Sequence, residues 1–428
     1  MNMTVRPGSR TGSVYAPASK SMAHRYLICA ALSRKSSVIC CDTISDDIEA
    51  TADCLNALGA GIRIEGRQIS VDPVRTCPEA ETGADHKCSH AGEEAQLYCR
   101  QSGSTLRFLL PLAGVLGRKA VFHMEGNLVS RPMTAFTDEL CAHGMSIEST
   151  EDGLRCSGRL SSGTYSIPGN ISSQFISGLL MSLPALKQDT GVSISGELQS
   201  GDYVAMTEDA VRLAGIEFEK KGSVYSIPGG QTYSFPEEYT VEADWSGAAF
   251  PLCMGALSEE GIVVKGLKYD SSQGDRRIID ILKSFGADVR TGGDSAIVRK
   301  GRLSGITVDA SDIPDLMPAV CAVASLAEGQ TRIINAGRLR MKETDRIKSI
   351  TGMLSKLGAD IHEGQDSITI NGSEFLKGGA TDSYGDHRIA MAAAVAACGC
   401  INDVTVKEAE CVSKSFPGFW EVFASLEV

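Results

Sequence analysis

A helix-like segment that stops at glycine and turns at once into a short alternating strand recurs five times along this chain. It is present as Cys54-Leu-Asn-Ala-Leu-Gly59-Ala-Gly-Ile-Arg-Ile, Leu140-Cys-Ala-His-Gly144-Met-Ser-Ile, Val211-Arg-Leu-Ala-Gly215-Ile-Glu-Phe, Leu282-Lys-Ser-Phe-Gly286-Ala-Asp-Val and Leu354-Ser-Lys-Leu-Gly358-Ala-Asp-Ile. Glycine suits the position just past a helix end, where it adopts the left-handed conformation without strain. The alternation beyond it reads as a half-buried strand. After a longer first interval, from Gly59 to Gly144, the glycines recur at a nearly constant spacing through Gly215, Gly286 and Gly358. One further interval of the same length ends with the chain at Val428, where residues 420–426 read as one more helix. Six copies of a unit of about 71 residues are expected, long enough for two helices and several strands each, an α/β or α+β module. Six copies predict two pseudo-threefold domains of three copies, with a cleft between them. The longer first interval reflects an insertion over residues 76–96, rich in Gly, Ala, Glu and His, which reads as a surface loop.

Several classes of protein are excluded at this level. The most apolar segment, residues 389–401, is too short to cross a bilayer and follows directly on Asp386-His387-Arg388; no other run approaches about 20 apolar residues. The first residues, Met1-Asn2-Met3-Thr4-Val5-Arg6-Pro7, have neither the order of a secretory signal nor the character of a transit peptide, so a cytoplasmic location is expected. Fourteen cysteines are spread along the chain, many in apolar runs (Cys29, Cys54, Cys253, Cys321, Cys398), and no C-x-x-C occurs, which fits a reducing compartment. Cys77, His86, Cys88 and His90 in the insertion have the side chains of zinc ligands, but their alternate spacing is unlike common zinc sites. A net charge of −12 argues against a general nucleic-acid surface. Any anionic ligand must be held by local basic groups.

Such groups stand where helices begin. Ser19-Lys20-Ser21 precedes Met22, Tyr26 and Leu27, with Arg25 one turn in; Ser102-Gly103-Ser104-Thr105 precedes Leu106, with Arg107 in the first turn; and Ser172-Ser173-Gln174 precedes Phe175 and Leu179. Lys342-Glu343-Thr344-Asp345-Arg346 leads into Ile347 and Ile350, and Asp386-His387-Arg388 leads into the apolar run. The hydroxyl and carboxylate residues are ordinary caps. The cations are not, because a positive charge at a helix N-terminus opposes the dipole at about 0.3–1 kcal/mol each. Repetition of that mismatch predicts a shared anion, bound by cations and helix N-termini together. Two carboxylates lie among these cations: Glu343, and Asp315 after Ile313-Pro314 at the start of a helix over 316–326. Carboxylates beside a bound anion point to acid–base roles.

These clusters resemble the 5-enolpyruvylshikimate-3-phosphate synthase (3-phosphoshikimate 1-carboxyvinyltransferase) family over essentially the whole chain. The matching segments are Ala18-Ser-Lys-Ser-Met-Ala-His-Arg25, Ser102-Gly-Ser-Thr-Leu-Arg107, Ser130-Arg131-Pro132, Ile171-Ser-Ser-Gln-Phe175, Asp312-Ile-Pro-Asp315, Met341-Lys-Glu-Thr-Asp-Arg-Ile347, Tyr384-Gly-Asp-His-Arg-Ile-Ala-Met391 and Ser413-Lys414-Ser-Phe-Pro417. The resemblance implies a two-domain inside-out α/β barrel of six βαβαββ repeats, three per domain. Residues 1–15 and 235–428 would form the discontinuous domain carrying Asp315, Glu343, Arg346, Arg388 and Lys414. Residues 16–234 would form the other, carrying Lys20, Arg25, Arg131 and Ser172 to Gln174.

It also implies enolpyruvyl transfer from phosphoenolpyruvate to the 5-hydroxyl of shikimate 3-phosphate, through a tetrahedral intermediate, in the shikimate pathway of aromatic amino acid biosynthesis. Lys20, Ser21, Arg25, Ser172, Ser173, Gln174, Ser200, Tyr203, Asp315 and Lys342 would hold shikimate 3-phosphate. Lys20, Gly103, Arg131, Gln174, Arg346, Arg388 and Lys414 would hold phosphoenolpyruvate. Asp315, Glu343 and Lys20 would carry the proton transfers, with no metal or organic cofactor, in a monomer that acts on small molecules and binds neither nucleic acid nor membrane. Gln101, Ala18, Asn127 and Arg338 depart from residues common in the family.

Two other readings compete. UDP-N-acetylglucosamine enolpyruvyl transferase shares fold and reaction type, but typically has a reactive Cys in the loop that here reads Gly126-Asn-Leu-Val-Ser130, and usually Lys-Asn where this chain has Lys20-Ser21. A non-catalytic anion-binding protein would have no use for Asp315 and Glu343 among its cations.

Overall fold

The computed structural model describes residues 1–74 and 94–426. The chain divides into two compact units, Lys20–Val241 on one hand and Met1–Ser19 with Glu242–Val428 on the other.

The unit Lys20–Val241 contains helices α1 (Lys20–Ala31), α2 (Asp46–Ala57), α3 (Gly103–Leu116), α4 (Thr134–Ala142), α5 (Ser173–Ser182) and α6 (Gly201–Leu213). Its second copy shows the plan. Strands Ala95–Tyr98 and Ala120–His123 pair in parallel, joined by α3, and after α4 the hairpin Met145–Ser149 and Gly153–Gly158 returns antiparallel beside them. The third copy repeats this order with Thr164–Pro168, Thr190–Ser195, Glu219–Lys221 and Val224–Ile227. The first copy enters directly at α1, and its edge strand is supplied from far along the chain by Glu238–Thr240, parallel to Ser37–Cys40. That pairing carries the unit's boundary to Val241.

The second unit contains α7 (Trp245–Ala256), α8 (Ile278–Phe285), α9 (Met317–Ala324), α10 (Arg346–Lys356), α11 (His387–Ala397) and α12 (Phe419–Ser425). Its first copy takes strand Gly12–Tyr15 from the N-terminal segment, parallel to Ile262–Lys265. Its last copy has no C-terminal hairpin. Strand Met3–Val5 lies antiparallel to Val404–Lys407 instead, completing a three-stranded sheet. The expected sixfold α/β repeat is therefore present, but three of the six copies are closed by strands distant in sequence.

The glycine turns form as their spacing suggests. Gly59, Gly144, Gly215, Gly286 and Gly358 all have positive φ, between 76° and 107°. At Gly144 a Cβ would also stand 2.7 Å from the carbonyl oxygen of Arg159, so conformation and space both exclude a side chain.

Helices α7, α9 and α11 are buried along their whole length and pack on one another. A helix apolar on all sides has no solvent face to present, which makes these three the core of their unit. The second helix of each copy is amphipathic; in α8, Ile278, Ile279, Leu282 and Phe285 are buried while Asp280 and Lys283 face water. The insertion proposed over residues 76–96 is shorter at its C-terminal end. Ala95 and Gln96 belong to the strand Ala95–Tyr98, fixed by parallel pairing and by the buried Leu97. Cys77, His86, Cys88 and His90 lie outside the described residues. Among the described residues no helix is long and apolar enough to cross a membrane, and no His, Cys, Asp and Glu group could hold a metal ion.

Candidate active site

In the unit that includes Glu242–Val428, the polar residues collect at the starts of the three core helices. Asp244 caps α7 by accepting from Ser246 N at 3.1 Å, and Asp386 caps α11 by accepting from Arg388 N at 3.0 Å. Asp315 lies in the short turn Pro314–Leu316 ahead of α9. Arg346, the first residue of α10, is only 1% exposed and joins the starts of α9 and α11. Its Nη1 donates to Asp315 Oδ1 at 2.7 Å, its Nη2 to Glu343 Oε2 at 2.6 Å and its Nε to Asp386 Oδ2 at 2.7 Å. Asp345 sits between Glu343 and Arg346 as the cap of α10, accepting from Lys348 N at 3.2 Å and pairing with Arg340 at 2.7 Å.

Asp315 is the most crowded carboxylate. Lys342 Nζ stands 3.3 Å and Arg388 Nη2 3.4 Å from it, and Arg388 Nη1 donates to its backbone oxygen at 3.1 Å. Burial alone would raise its pKa. The charges of Arg388, Lys342 and Arg346 overcome this and hold the carboxyl well below the usual range, against the opposing push of Glu343. Burial lowers the Lys342 ammonium from its ordinary value, with Asp315 opposing. Three cations thus meet three carboxylates: Lys342, Arg346 and Arg388 with Asp315, Glu343 and Asp386. Lys414 is buried in the turn Ala409–Lys414, on which α11 packs.

In the unit Lys20–Val241 the arrangement differs. Arg25 on α1 is 2% exposed, yet its hydrogen-bond partners among the described residues are neutral: Thr207 Oγ1 at 2.8 Å, the Ser21 carbonyl at 2.6 Å and the Tyr203 carbonyl at 2.8 Å. Its guanidinium also lies 5.1 Å above the Phe108 ring. Burial pushes its pKa down to about 10, because a desolvated cation without a counter-ion is disfavoured. Lys20 is instead bound to a buried carboxylate, Asp47, at 2.8 Å.

A second group converges on the first turn of α3. Arg107 Nη1 donates to Gln174 Oε1 at 2.6 Å, and Gln174 Nε2 donates to Ser104 Oγ at 2.9 Å. A Cβ on Gly103 would lie 2.9 Å from Arg131 Nη1 and 3.3 Å from Arg107 Nη1, so glycine is what admits both guanidinia. Ser172 caps α5 by accepting from Gln174 N, and Ser173 is buried beside it. Ser200 precedes α6 in the left-handed region, at φ 56°, and Tyr203 is in the first turn of α6.

The structure therefore brings together Asp315, Lys342, Glu343, Arg346 and Arg388; Ser21, Arg25 and Tyr203; and Gly103, Arg131 and Gln174. It adds Asp47 and Asp386, which the sequence did not single out as ligand contacts, and ties Arg107, one of the helix-start cations, to Gln174. The repeat contained a signal for one of them: Asp244, Asp315 and Asp386 follow one another at intervals of one repeat period.

A sequence profile of the EPSP synthase (3-phosphoshikimate 1-carboxyvinyltransferase) family matches residues 5–423. A Clostridium kluyveri protein named 3-phosphoshikimate 1-carboxyvinyltransferase is 42% identical over 430 aligned residues, covering 99% of this chain and 97% of its own. One of the same name from Brachyspira hyodysenteriae is 38% identical, covering 100% and 99%. Among solved structures, EPSP synthase from Acinetobacter baumannii superposes with a TM-score of 0.76 at 25% identity, covering 98% of this chain and 97% of that one. The enolpyruvyl transferase NikO from Streptomyces tendae reaches 0.77 at 17% identity, covering 99% and 96%, a likeness of fold.

Proposed function

This chain belongs to the EPSP synthase (3-phosphoshikimate 1-carboxyvinyltransferase) family, and from that premise we propose that it transfers the enolpyruvyl group of phosphoenolpyruvate to the 5-hydroxyl of shikimate 3-phosphate, releasing phosphate. The observation that carries the assignment to residues is the pairing of two carboxylates, Asp315 and Glu343, on one buried guanidinium, Arg346. Addition of a hydroxyl across an enol double bond requires a base at the hydroxyl and an acid at the methylene carbon, and elimination requires the reverse. Asp315 takes the first role and Glu343 the second, with Lys20 as a further proton carrier.

The low pKa of Asp315 makes it a carboxylate at neutral pH but a weak base. An anion that engages Arg388 or Lys342 withdraws part of the positive field on Asp315, so substrate binding itself raises its basicity. The same cations stabilise the phosphate-bearing tetrahedral intermediate. Lys342 and Asp315 contact shikimate 3-phosphate, and Arg346, Arg388 and Lys414 contact phosphoenolpyruvate. From the unit Lys20–Val241, Ser21, Arg25, Ser172, Ser173, Ser200 and Tyr203 serve shikimate 3-phosphate, Gly103 and Arg131 serve phosphoenolpyruvate, and Lys20 and Gln174 serve both. Arg25 supports this division, being a buried cation held by neutral groups among the described residues. The enzyme acts as a cytoplasmic monomer on small molecules.

Neither the family match nor the names of the relatives favour a sugar-nucleotide acceptor. The test is phosphate release from phosphoenolpyruvate with shikimate 3-phosphate or with UDP-N-acetylglucosamine as acceptor. Release with the first alone is expected, and release with the second alone, or with neither, refutes the proposal.

A further inference from the structure

Asp275 lies in the turn Gly274–Arg277 ahead of α8, one repeat period before Arg346 at the start of α10. Arg346 reaches Asp386, and the residue at the same distance beyond Asp275 is Asp315. The repeat thus directs an acid toward Asp315 where the next copy directs a cation toward Asp386. Asp275 is 4% exposed. One carboxylate oxygen accepts from Ser246 Oγ in the first turn of α7, and the other, Oδ1, is buried with no hydrogen-bond partner among the described residues.

The charged groups that face it are Asp315 ahead of α9, Arg388 on α11 and Asp244 at the cap of α7. Its immediate neighbours are engaged elsewhere: Arg276 donates to the Tyr269 carbonyl at 3.2 Å, Arg277 lies 3.7 Å from Asp312, and on α8 Lys283 lies 3.9 Å from Asp280 at the surface. Burial first, and then the charge of Asp315, push the Asp275 carboxyl up to about 7, against the pull of Arg388.

We propose that Asp275 is a positioning residue that sets how much of the Arg388 charge is offered to an anionic substrate, and that it takes up a proton from the medium when that anion binds. Ionised, Asp275 draws electrostatically on Arg388, which is itself hydrogen-bonded to Asp315. An anion seated on Arg388 adds negative charge nearby and favours the neutral acid. Phosphoenolpyruvate affinity then falls as pH rises through neutrality, over and above the titration of the substrate itself. The inference rests on the reading of Arg388 as a phosphoenolpyruvate contact.

The experiment compares the wild-type enzyme, Asp275→Asn and Ser246→Ala, each checked for folding by circular dichroism. Phosphoenolpyruvate KM is followed from pH 6 to 8.5, and proton uptake on binding is measured by calorimetry in buffers of different ionisation enthalpy. Between those pH limits the wild-type KM should rise about 3- to 10-fold more than that of Asp275→Asn, tenfold corresponding to one pH unit of displacement on binding. Substrate titration is common to both and cancels. Asp275→Asn should also lose the proton uptake. Ser246→Ala removes a hydrogen bond to the ionised form, so its midpoint should move to higher pH. Identical pH profiles and proton counts in wild type and Asp275→Asn overturn the proposal; where Asp275→Asn does not fold, an unmoved midpoint in Ser246→Ala does so. An Arg388→Ala enzyme that keeps full phosphoenolpyruvate affinity refutes the contact itself, a separate outcome.

Discussion

Replacing Arg346 by methionine should destabilise its unit more than any other single substitution in the site. The side chain is 1% exposed, so solvent screening gives no discount, and its loss takes a charged partner from each of Asp315, Glu343 and Asp386. Breaking a buried ion pair by deleting one partner costs about 3–5 kcal/mol. The loss should stay near that range rather than multiply, because Asp315 keeps Lys342 and Arg388, and Asp386 keeps the Arg388 amide and the Thr344 hydroxyl. For a unit of about 200 residues each kcal/mol corresponds to roughly 2–4 °C, which places the expected fall in melting temperature at about 6–20 °C.

The pH dependence has a definite sign. The Asp315 pKa is depressed in the folded protein, so its contribution is complete above its unfolded value, about 3.9, and is lost as pH falls through the folded value. With one of its three cations removed the folded value rises toward normal. The gap between wild type and Arg346→Met should then be full at pH 7–8 and narrow only as pH falls below about 4. Arg346→Lys should recover only part of it, since an ammonium cannot fork between three carboxylates. Calorimetry of the three proteins from about pH 3 to 8 reads all of this directly. A melting temperature for Arg346→Met within about 2 °C of wild type at pH 8, or a gap that widens on acidification, would refute the reasoning.

Glu343→Gln should lower turnover by about 100-fold or more while keeping most of the substrate affinity, and should slow entry of solvent deuterium into the phosphoenolpyruvate methylene; wild-type exchange in a folded protein removes Glu343 from the mechanism. Gly103→Ala places a methyl 2.9 Å from Arg131 Nη1, so phosphoenolpyruvate affinity should fall about tenfold with shikimate 3-phosphate affinity intact, and equilibrium titration with both ligands decides it. Arg25→Met exchanges a buried cation hydrogen-bonded to neutral groups for an apolar chain, so shikimate 3-phosphate binding should weaken about 100-fold or more with a melting temperature within about 4 °C of wild type. Weak folding with normal affinity would contradict that assignment.

What the sequence makes legible here is what is local. A left-handed residue at a helix end requires glycine, so Gly59, Gly144, Gly215, Gly286 and Gly358 mark the repeat without knowledge of anything distant. The helix-start clusters are visible for the same reason, since a cap is defined within a few residues. The strands that close the first, fourth and sixth copies are not, because Glu238–Thr240, Gly12–Tyr15 and Met3–Val5 find partners far away in the chain. The division of the cations is equally non-local. A positive charge at a helix start suggests a waiting anion, yet Arg25 is hydrogen-bonded to neutral groups and Arg346 also pairs with Asp315, Glu343 and Asp386. Only the fold shows which of these cations already carries carboxylates.

The period itself explains how a repeated scaffold acquired a unique carboxylate. Asp244, Asp315 and Asp386 hold equivalent places, and α7 and α11 begin immediately after theirs, so Asp244 and Asp386 are committed as caps. In the middle copy Pro314 opens a short turn, Asp315 falls inside it, and α9 begins only at Met317. Moving the helix start one residue along takes Asp315 out of the cap position and leaves its oxygens to Lys342, Arg346 and Arg388. The equivalent position in the preceding copy bears on two of these aspartates with opposite charge: Arg346 on Asp386 and, one period earlier, Asp275 on Asp315. Beside Asp386, which stayed a cap, stands a cation; behind Asp315, which was freed, stands a second acid. Symmetry positions the groups, and the departures from symmetry at Pro314 and Asp275 give one of three aspartates a chemistry the other two lack.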